Sequence, residues 1–380
     1  MDAEKYFSET YSEARARFLE AAQAAGARMT TYENHSAKGP GGCVLALDTA
    51  WFGPEDASTV LLNTCGTHGA EGFAGSAAQL AWISTCGPMD LPPDTAALLV
   101  HAVNPFGFAW GLRGTENNVD INRNFLDHNA THPENELYEE LHRFLCPKSL
   151  DEKSIYKMLS AGARFVERHG QWALEDAMSR GQYTHPDGYH FGGTSPEWSN
   201  VTMREIIDNE LSRALRVGFI DWHSGPAGDG ELIHLCFSKP DSRQFARAAH
   251  WWGEAALDPK TINSMWGSKR PTRRGIMFWG LEDQLAPHAE FAGAVIEFRS
   301  ALQKTSPAQA IRASLLERWL RFESGFEAPE AKKYFAEIRE DYAPHRKSWH
   351  INVISNALEC YRTTLNGLGA WNRESLRAAD

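Results

Sequence analysis

The sequence predicts an α/β fold: a mixed, mostly parallel central sheet with helices on both faces. Short apolar-centred runs recur at 58–64, 97–103, 217–222, 231–237 and 294–299. Longer stretches with helical character separate them. The polar residues gather where the short runs end, beside Gly or Pro. Buried strands alternating with helices are how a parallel sheet covered on both faces is written.

The elements follow in order. Residues 6–24 predict an opening helix. Ser58-Thr-Val-Leu-Leu-Asn-Thr64 reads as a strand, ended by Cys65-Gly66-Thr67-His68-Gly69, and a helix of small residues runs from Glu71 to about Ser84. The strand at 97–103 stops at Asn104-Pro105, because the residue before proline is pushed to extended backbone. Helices are expected at 136–145 and 151–179. The helix at 201–216 repeats Met203, Ile207, Leu211 and Leu215 every fourth residue, a stripe for core packing. Strands at 217–222 and 231–237, a helix at 242–256, a strand at 294–299 and a helix at 307–322 complete the set. Residues 325–350 are richer in charge and proline and read as the start of a looser C-terminal stretch.

Composition narrows the function. The formal net charge of −11 disfavours nucleic acid or an anionic membrane as partner, since either calls for a basic stripe. The six cysteines are scattered and never form C-x-x-C, which fits neither a disulfide framework nor a zinc finger. The opening residues lack a basic segment followed by an apolar one, and no run of 18 apolar residues occurs. The expectation is a soluble, cytoplasmic protein.

His68 and Glu71 stand three apart at a strand-to-helix turn flanked by Gly66, Gly69 and Gly72, where both can converge on one ion. Asp221-Trp222-His223-Ser224 closes another strand, and ligands in open α/β sheets bind beyond the strands' carboxyl ends. Two His and a Glu leave a fourth zinc position for water, the catalytic arrangement. Arg113, Asn122 and Arg123 offer two guanidinium forks and an amide, suited to a carboxylate and a developing oxyanion. Glu297 lies inside an otherwise apolar strand. Burying an unpaired carboxylate is costly, so it is either paired near Arg299 or kept for chemistry. Arg270, Arg273 and Arg274 read as a solvated basic turn.

Taken in order, His-Gly-Ala-Glu at 68–71, Asn-Pro-Phe-Gly at 104–107, Arg113 with Val-Asp-Ile-Asn-Arg-Asn-Phe at 119–125, Asp-Trp-His-Ser at 221–224 and Val-Ile-Glu-Phe at 295–298 resemble the M14 metallocarboxypeptidase pattern. The run from Gly66 to Ser76, with Gly181-Gln182-Tyr183, Pro186-Asp187-Gly188 and Phe191-Gly192-Gly193, is similar to the DUF2817 branch. The resemblance covers roughly residues 10–370. It implies a single zinc-peptidase-like catalytic domain over 1–380, with an insert at about 130–200 and a helical C-terminal extension from about 305. It implies one Zn²⁺ per chain on His68, Glu71 and His223, with Asp120 orienting His68. Glu297 would be the general base, Arg113 the oxyanion support, and Asn122 and Arg123 the clamp for a free carboxylate. The implied activity is cleavage of an amide bond next to a free carboxylate in a small peptide. The alternatives are deacylation of an N-acyl amino acid, as in the aspartoacylase type, and a zinc-binding protein without catalysis. Two departures bear on substrate. The stretch before Glu297, at 274–279, lacks the tyrosine that the carboxypeptidases carry, and the segment between Glu71 and His223 is long.

Overall fold

The structure, a computed structural model, describes residues 2–85, 87–257, 272–304 and 306–379. Helix α1 (Tyr11–Ala24) precedes β1 (Arg28–Asn34), β2 (Leu45–Phe52) and β3 (Thr59–Cys65). Then come α2 (Gly72–Thr85), β4 (Thr95–His101) and α3 (Pro105–Trp110). Helices α4 (Glu136–Leu145), α5 (Glu152–His169), α6 (Gln171–Arg180) and α7 (Trp198–Glu210) lead to β5 (Arg216–Ser224) and β6 (Leu232–Leu235). The chain continues through α8 (Arg243–Trp252), α9 (Met277–Leu285) and β7 (Glu290–Phe298). Helices α10 (Pro307–Ala310), α11 (Arg312–Trp319), α12 (Ala331–Tyr342) and α13 (Lys347–Ala379) follow.

The seven strands form one sheet in the order β1-β2-β4-β3-β5-β7-β6. The central strands β4, β3, β5 and β7 are mutually parallel, while β2 and β6 run against their neighbours. The expected mixed, mostly parallel sheet is therefore the observed one. Every residue of β3, β4 and β5 is buried, as a sheet covered on both faces requires.

Side chains alternate between two apolar layers. Leu61, Leu99, Ile220, Trp222 and Ile296 meet α1, α2 and α13 on one face. Val60, Leu62, Val217, Phe219 and Val295 meet α7 and α9 on the other. His223 and Glu297 continue this second set, so both project from the α7–α9 face at the sheet's carboxyl edge. Their backbones are register partners.

Several details differ from expectation. Strands β1 and β2 are not singled out by the sequence pattern. Strand β1 is a half-exposed edge, and β2 carries Asp48 in mid-strand, fully buried and matched by Arg15 at 2.6 Å. The helix expected at 151–179 breaks at Gly170, whose φ of 86° side chains resist, so α5 and α6 are separate. In the stripe at 201–216, Met203, Ile207 and Leu211 are buried but Leu215 is exposed, because α7 ends at Glu210. The stretch after 325 is not loose: α12 and α13 place Ile338, Trp349, Tyr361 and Leu368 in the main core.

Candidate metal centre and active-site pocket

His68 ends the turn after β3, Glu71 closes a short 3-10 turn that leads into α2, and His223 is the penultimate residue of β5. The parallel register of β3 and β5 brings all three to one edge. His68 Nδ1 lies 3.0 Å from Glu71 Oε1 and 3.0 Å from His223 Nδ1, and His223 Nδ1 lies 2.8 Å from Glu71 Oε2. These separations are near the edges of ~3.3 Å that a tetrahedral ion with bonds of roughly 2.0–2.1 Å subtends.

The outer ring nitrogens decide what the inner ones can do. Asp120 Oδ1 faces His68 Nε2 at 3.2 Å, and Asp221 Oδ2 faces His223 Nε2 at 2.7 Å. A carboxylate only accepts, so each neutral ring keeps its proton on Nε2 and turns a bare Nδ1 inward. Two lone pairs and a carboxylate converge there, an arrangement that a metal ion satisfies and that a proton on His223 relieves without one. Burial opposes charge on His223, but Asp221 and Glu71 outweigh it and hold its pKa well above the usual imidazole value. Burial alone would raise Glu71, yet His68 and His223 draw it below the usual carboxylate range. Two nitrogens, one carboxylate and an open side fit zinc, and these residues would hold it.

A second group, His142, Cys146 and Asp187, also brings donor atoms within reach of one another. There Arg318 donates to Asp187 at 2.9 Å, which already answers its charge.

The other predicted residues surround the centre. Arg113 donates through Nε and Nη2 to Asp120 Oδ2, both at 3.1 Å, leaving Nη1 3.4 Å from Glu71. Against burial, which raises it, Arg113, then Arg123 and His68 hold Asp120 well below the carboxylate range. Asn122 Oδ1 accepts from Met277 N–H at 3.0 Å, which fixes its NH₂ as the group left for the pocket. Arg123 donates to the carbonyls of Asn122 and Ser179, both at 2.6 Å, and its Nε is buried without a partner. Glu297 does not pair with Arg299, which turns to the carbonyl of Ala227 at 2.5 Å. Its Oε2 is buried without a partner.

Together with His68 and His223, these groups line a pocket of about 180 Å³, which His190, Ser179 and Arg273 help to wall. Three residues of the site escape the sequence reading. Asp221 is visible only as part of a motif. His190 donates from Nδ1 to Asp120 Oδ2 at 2.9 Å and holds a φ of 48°, which no sequence signal reveals. Arg273 is not part of a solvated turn: it lines the pocket. Arg274 is exposed, and Arg270 lies outside the described residues.

A mixed, mostly parallel sheet with a His/Glu/His cluster and buried carboxylates at its carboxyl edge defines an α/β protein with a candidate metal centre. The chain belongs to the DUF2817 family of proteins of unknown function, whose sequence model matches residues 7–356. None of the curated proteins matches it. Among solved structures it is similar to bovine thrombin-activatable fibrinolysis inhibitor in complex with a tick carboxypeptidase inhibitor, at 12% identity over 95% of this chain and 97% of that one, with a TM-score of 0.48. It is also similar to carboxypeptidase A from Helicoverpa armigera, at 13% identity over 88% and 74% of the two chains with a TM-score of 0.44. A metallo-carboxypeptidase from Burkholderia cenocepacia matches at 12% identity over 95% and 70%, with a TM-score of 0.40. No helix among the described residues is long and apolar enough to cross a membrane.

Proposed function

We propose that this chain is a zinc-dependent hydrolase that cleaves an amide bond next to a free carboxylate, in a small peptide or an acylated amino acid. One observation carries this reading: a convergent His68–Glu71–His223 donor set with Glu297 in register beside His223 and lining the same pocket.

Zinc, when bound, supplies a Lewis acid that polarises the amide carbonyl and lowers the pKa of water towards 7. Glu297 takes a proton from the attacking water as its oxygen adds to the carbonyl carbon. Arg113, fixed by Asp120, turns its remaining donors towards the developing oxyanion. The Asn122 amide and Arg123 hold the substrate's carboxylate. Glu297 then passes its proton to the departing nitrogen as the C–N bond breaks, giving a carboxylic acid and an amine.

The pocket size favours the deacylase form. About 180 Å³ is below the roughly 300–1,000 Å³ usual for ligand clefts, and Ser179 and His190 narrow it. A compact N-acyl amino acid suits that space better than a long peptide. The test is to load the purified chain with zinc and assay C-terminal peptides and N-acyl amino acids, each free and amidated. Hydrolysis restricted to free carboxylates is expected. Turnover that ignores the carboxylate, or none with stoichiometric zinc, overturns the proposal.

A further inference from the structure

We infer that Glu317, paired with Arg321, is a positioning residue that aims Arg113 at the site, so that the helical C-terminal extension sets the geometry of the oxyanion support. This rests on the hydrolase reading above and adds to it a residue that does not itself line the pocket.

The chain from Leu112 to Thr115 lies outside helix and strand, and Leu112, Gly114 and Thr115 are buried. Its backbone groups therefore need partners from elsewhere. Glu317 Oε2 accepts from Arg113 N–H at 2.8 Å, and Oε1 accepts from Gly114 N–H at 3.1 Å. Arg321 donates through Nε to the same Oε1 at 3.2 Å. Its Nη2 and Nη1 donate to the carbonyls of Gly114 and Thr115, both at 2.8 Å. The Arg113 carbonyl is held separately, accepting from Asn104 Nδ2 at 3.1 Å and from Gly69 N–H at 3.3 Å. The peptide groups on both sides of the Arg113 Cα are thus fixed, one of them by a carboxylate.

Two observations separate aiming from packing alone. The first is cost. The Arg321 and Glu317 side chains are only 5% and 11% exposed, and a buried ion pair is a weak source of stability because desolvation offsets the attraction. Their side-chain hydrogen bonds go to each other and to three consecutive residues that begin with Arg113. Neutral groups would satisfy the same backbone, whereas charge-assisted bonds hold it more firmly. The second is convergence. Arg318, next to Glu317 in α11, donates through Nε and Nη2 to the carbonyl and carboxylate of Asp187, both at 2.9 Å. That residue begins the short run leading to His190. Arg113 and His190 then meet on one atom, Asp120 Oδ2, at 3.1 and 2.9 Å. Adjacent residues of α11 therefore hold the two segments whose side chains converge on the carboxylate behind His68. Helix α11 is itself anchored, with Leu316 in the main core and Leu315 in the cluster that α4 and α5 build. Misplacing an oriented group by about 1 Å can cost about 100-fold in rate, so such an anchor bears on chemistry.

The experiment follows the Arg113 Nε–H by heteronuclear NMR in zinc-loaded, full-length protein. The Arg15 Nε–H, which donates to Asp48 of β2 at 2.6 Å, serves as internal reference. In Glu317→Gln, solvent exchange at Arg113 is expected to quicken about 10-fold relative to Arg15, the scale of one weakened charge-assisted bond. On free-carboxylate substrates kcat should fall by a similar factor with KM nearly unchanged, because the oxyanion develops only in the transition state. In an Arg113→Gln background, Glu317→Gln should cause no further loss of kcat, since the two residues act through one group. Glu317→Gln leaves the Arg321 charge buried. If that variant does not fold, Glu317→Gln with Arg321→Met removes both charges and should give the same exchange and kcat results. Exchange at Arg113 unchanged against Arg15 in a folded variant, or an equal loss of kcat with and without Arg113, overturns the inference. A loosened Arg113 in a protein that hydrolyses no amide would sink the reaction and leave the positioning. Hydrolysis with Arg113 undisturbed would do the reverse.

Discussion

At Glu297, burial and the nearby Glu71 push the carboxyl pKa up to about 7, against His223 and His68, which pull it down. As a base it works only when ionised, so kcat should fall as pH drops, with a limb at or below about 7 because a bound dication lowers the pKa further. Glu297→Gln keeps the shape but cannot accept a proton. We expect kcat to fall by about 100-fold or more, with zinc content and thermal midpoint nearly unchanged. Normal turnover in a folded, zinc-loaded variant would end the mechanism. The metal-free protein gives a second check. A carboxyl raised from 4.5 to about 7 on folding contributes stability that is fully present below pH 4.5 and lost as pH rises through 7. Denaturant midpoints should therefore fall over that window in the unaltered chain, and fall less in Glu297→Gln. At the next remove from the ion, Asp221→Asn should weaken zinc binding by about 10- to 100-fold, read by competition with a chelator, since an amide no longer fixes the His223 tautomer. The ligands themselves were legible because H-x-x-E at a glycine-flanked turn is a local pattern. The place of Arg273 was not: whether an arginine next to others faces water or lines a pocket is set by the chain packed around it.

The turn carrying His68 and Glu71 owes its shape to a neighbour. A Cβ on Gly69 would fall 1.9 Å from the carbonyl carbon of Gly107 and 2.1 Å from the nitrogen of Phe108, both backbone atoms of α3. Gly69 N–H and Ala70 N–H donate to the carbonyls of Arg113 and Leu112 at 3.3 and 2.9 Å, so the segment that follows α3 also holds the turn. Gly69→Ala must separate these elements. A loss of about 1–3 kcal/mol from overpacking is expected by chemical denaturation, together with weakened zinc retention as His68 and Glu71 move apart. An unchanged midpoint with full zinc would mean that the turn is more plastic than its contacts imply. Element legibility followed the same logic. Strands β3, β4 and β5 announced themselves as apolar runs, whereas β2 hid behind Asp48, whose partners Arg15 and Thr31 are distant in sequence. The break between α5 and α6 depends on a positive φ at Gly170, which a helical pattern passes over.

Across the whole molecule, the site's two faces are held by different parts of the chain. On the pocket face, Ser179 and His190 join the segment between α4 and α7 to Arg123 and Asp120. On the opposite face, α13 closes the chain over the strands that carry the ligands. Tyr361 OH donates to Asn63 Oδ1 at 2.6 Å and accepts from Trp222 Nε1–H at 3.0 Å. Asn63 also donates to the Ile220 carbonyl at 3.0 Å and accepts from Gln79 at 3.1 Å, so one buried network joins α2, β3, β5 and α13. An insert and a helical C-terminal extension were expected, but this network was not legible, because charge and proline at 325–350 masked the approach to a helix whose partners lie some 300 residues earlier, Asn63 and Tyr361 being separated by 298. Removing the Tyr361 hydroxyl leaves the Trp222 N–H buried without an acceptor, while Asn63 keeps Gln79. Tyr361→Phe should therefore cost about 1–3 kcal/mol of stability. Because Trp222 and His223 point to opposite faces of β5, the ligand set is not in the path of that loss. Zinc content and kcat should stay near their original values while the thermal midpoint falls, the reverse of what Glu297→Gln should do. Measuring all three on both variants separates support of the fold from chemistry at the site. Loss of zinc in Tyr361→Phe at a temperature where the chain remains folded would mean that α13 sets the metal geometry through the sheet, not stability alone.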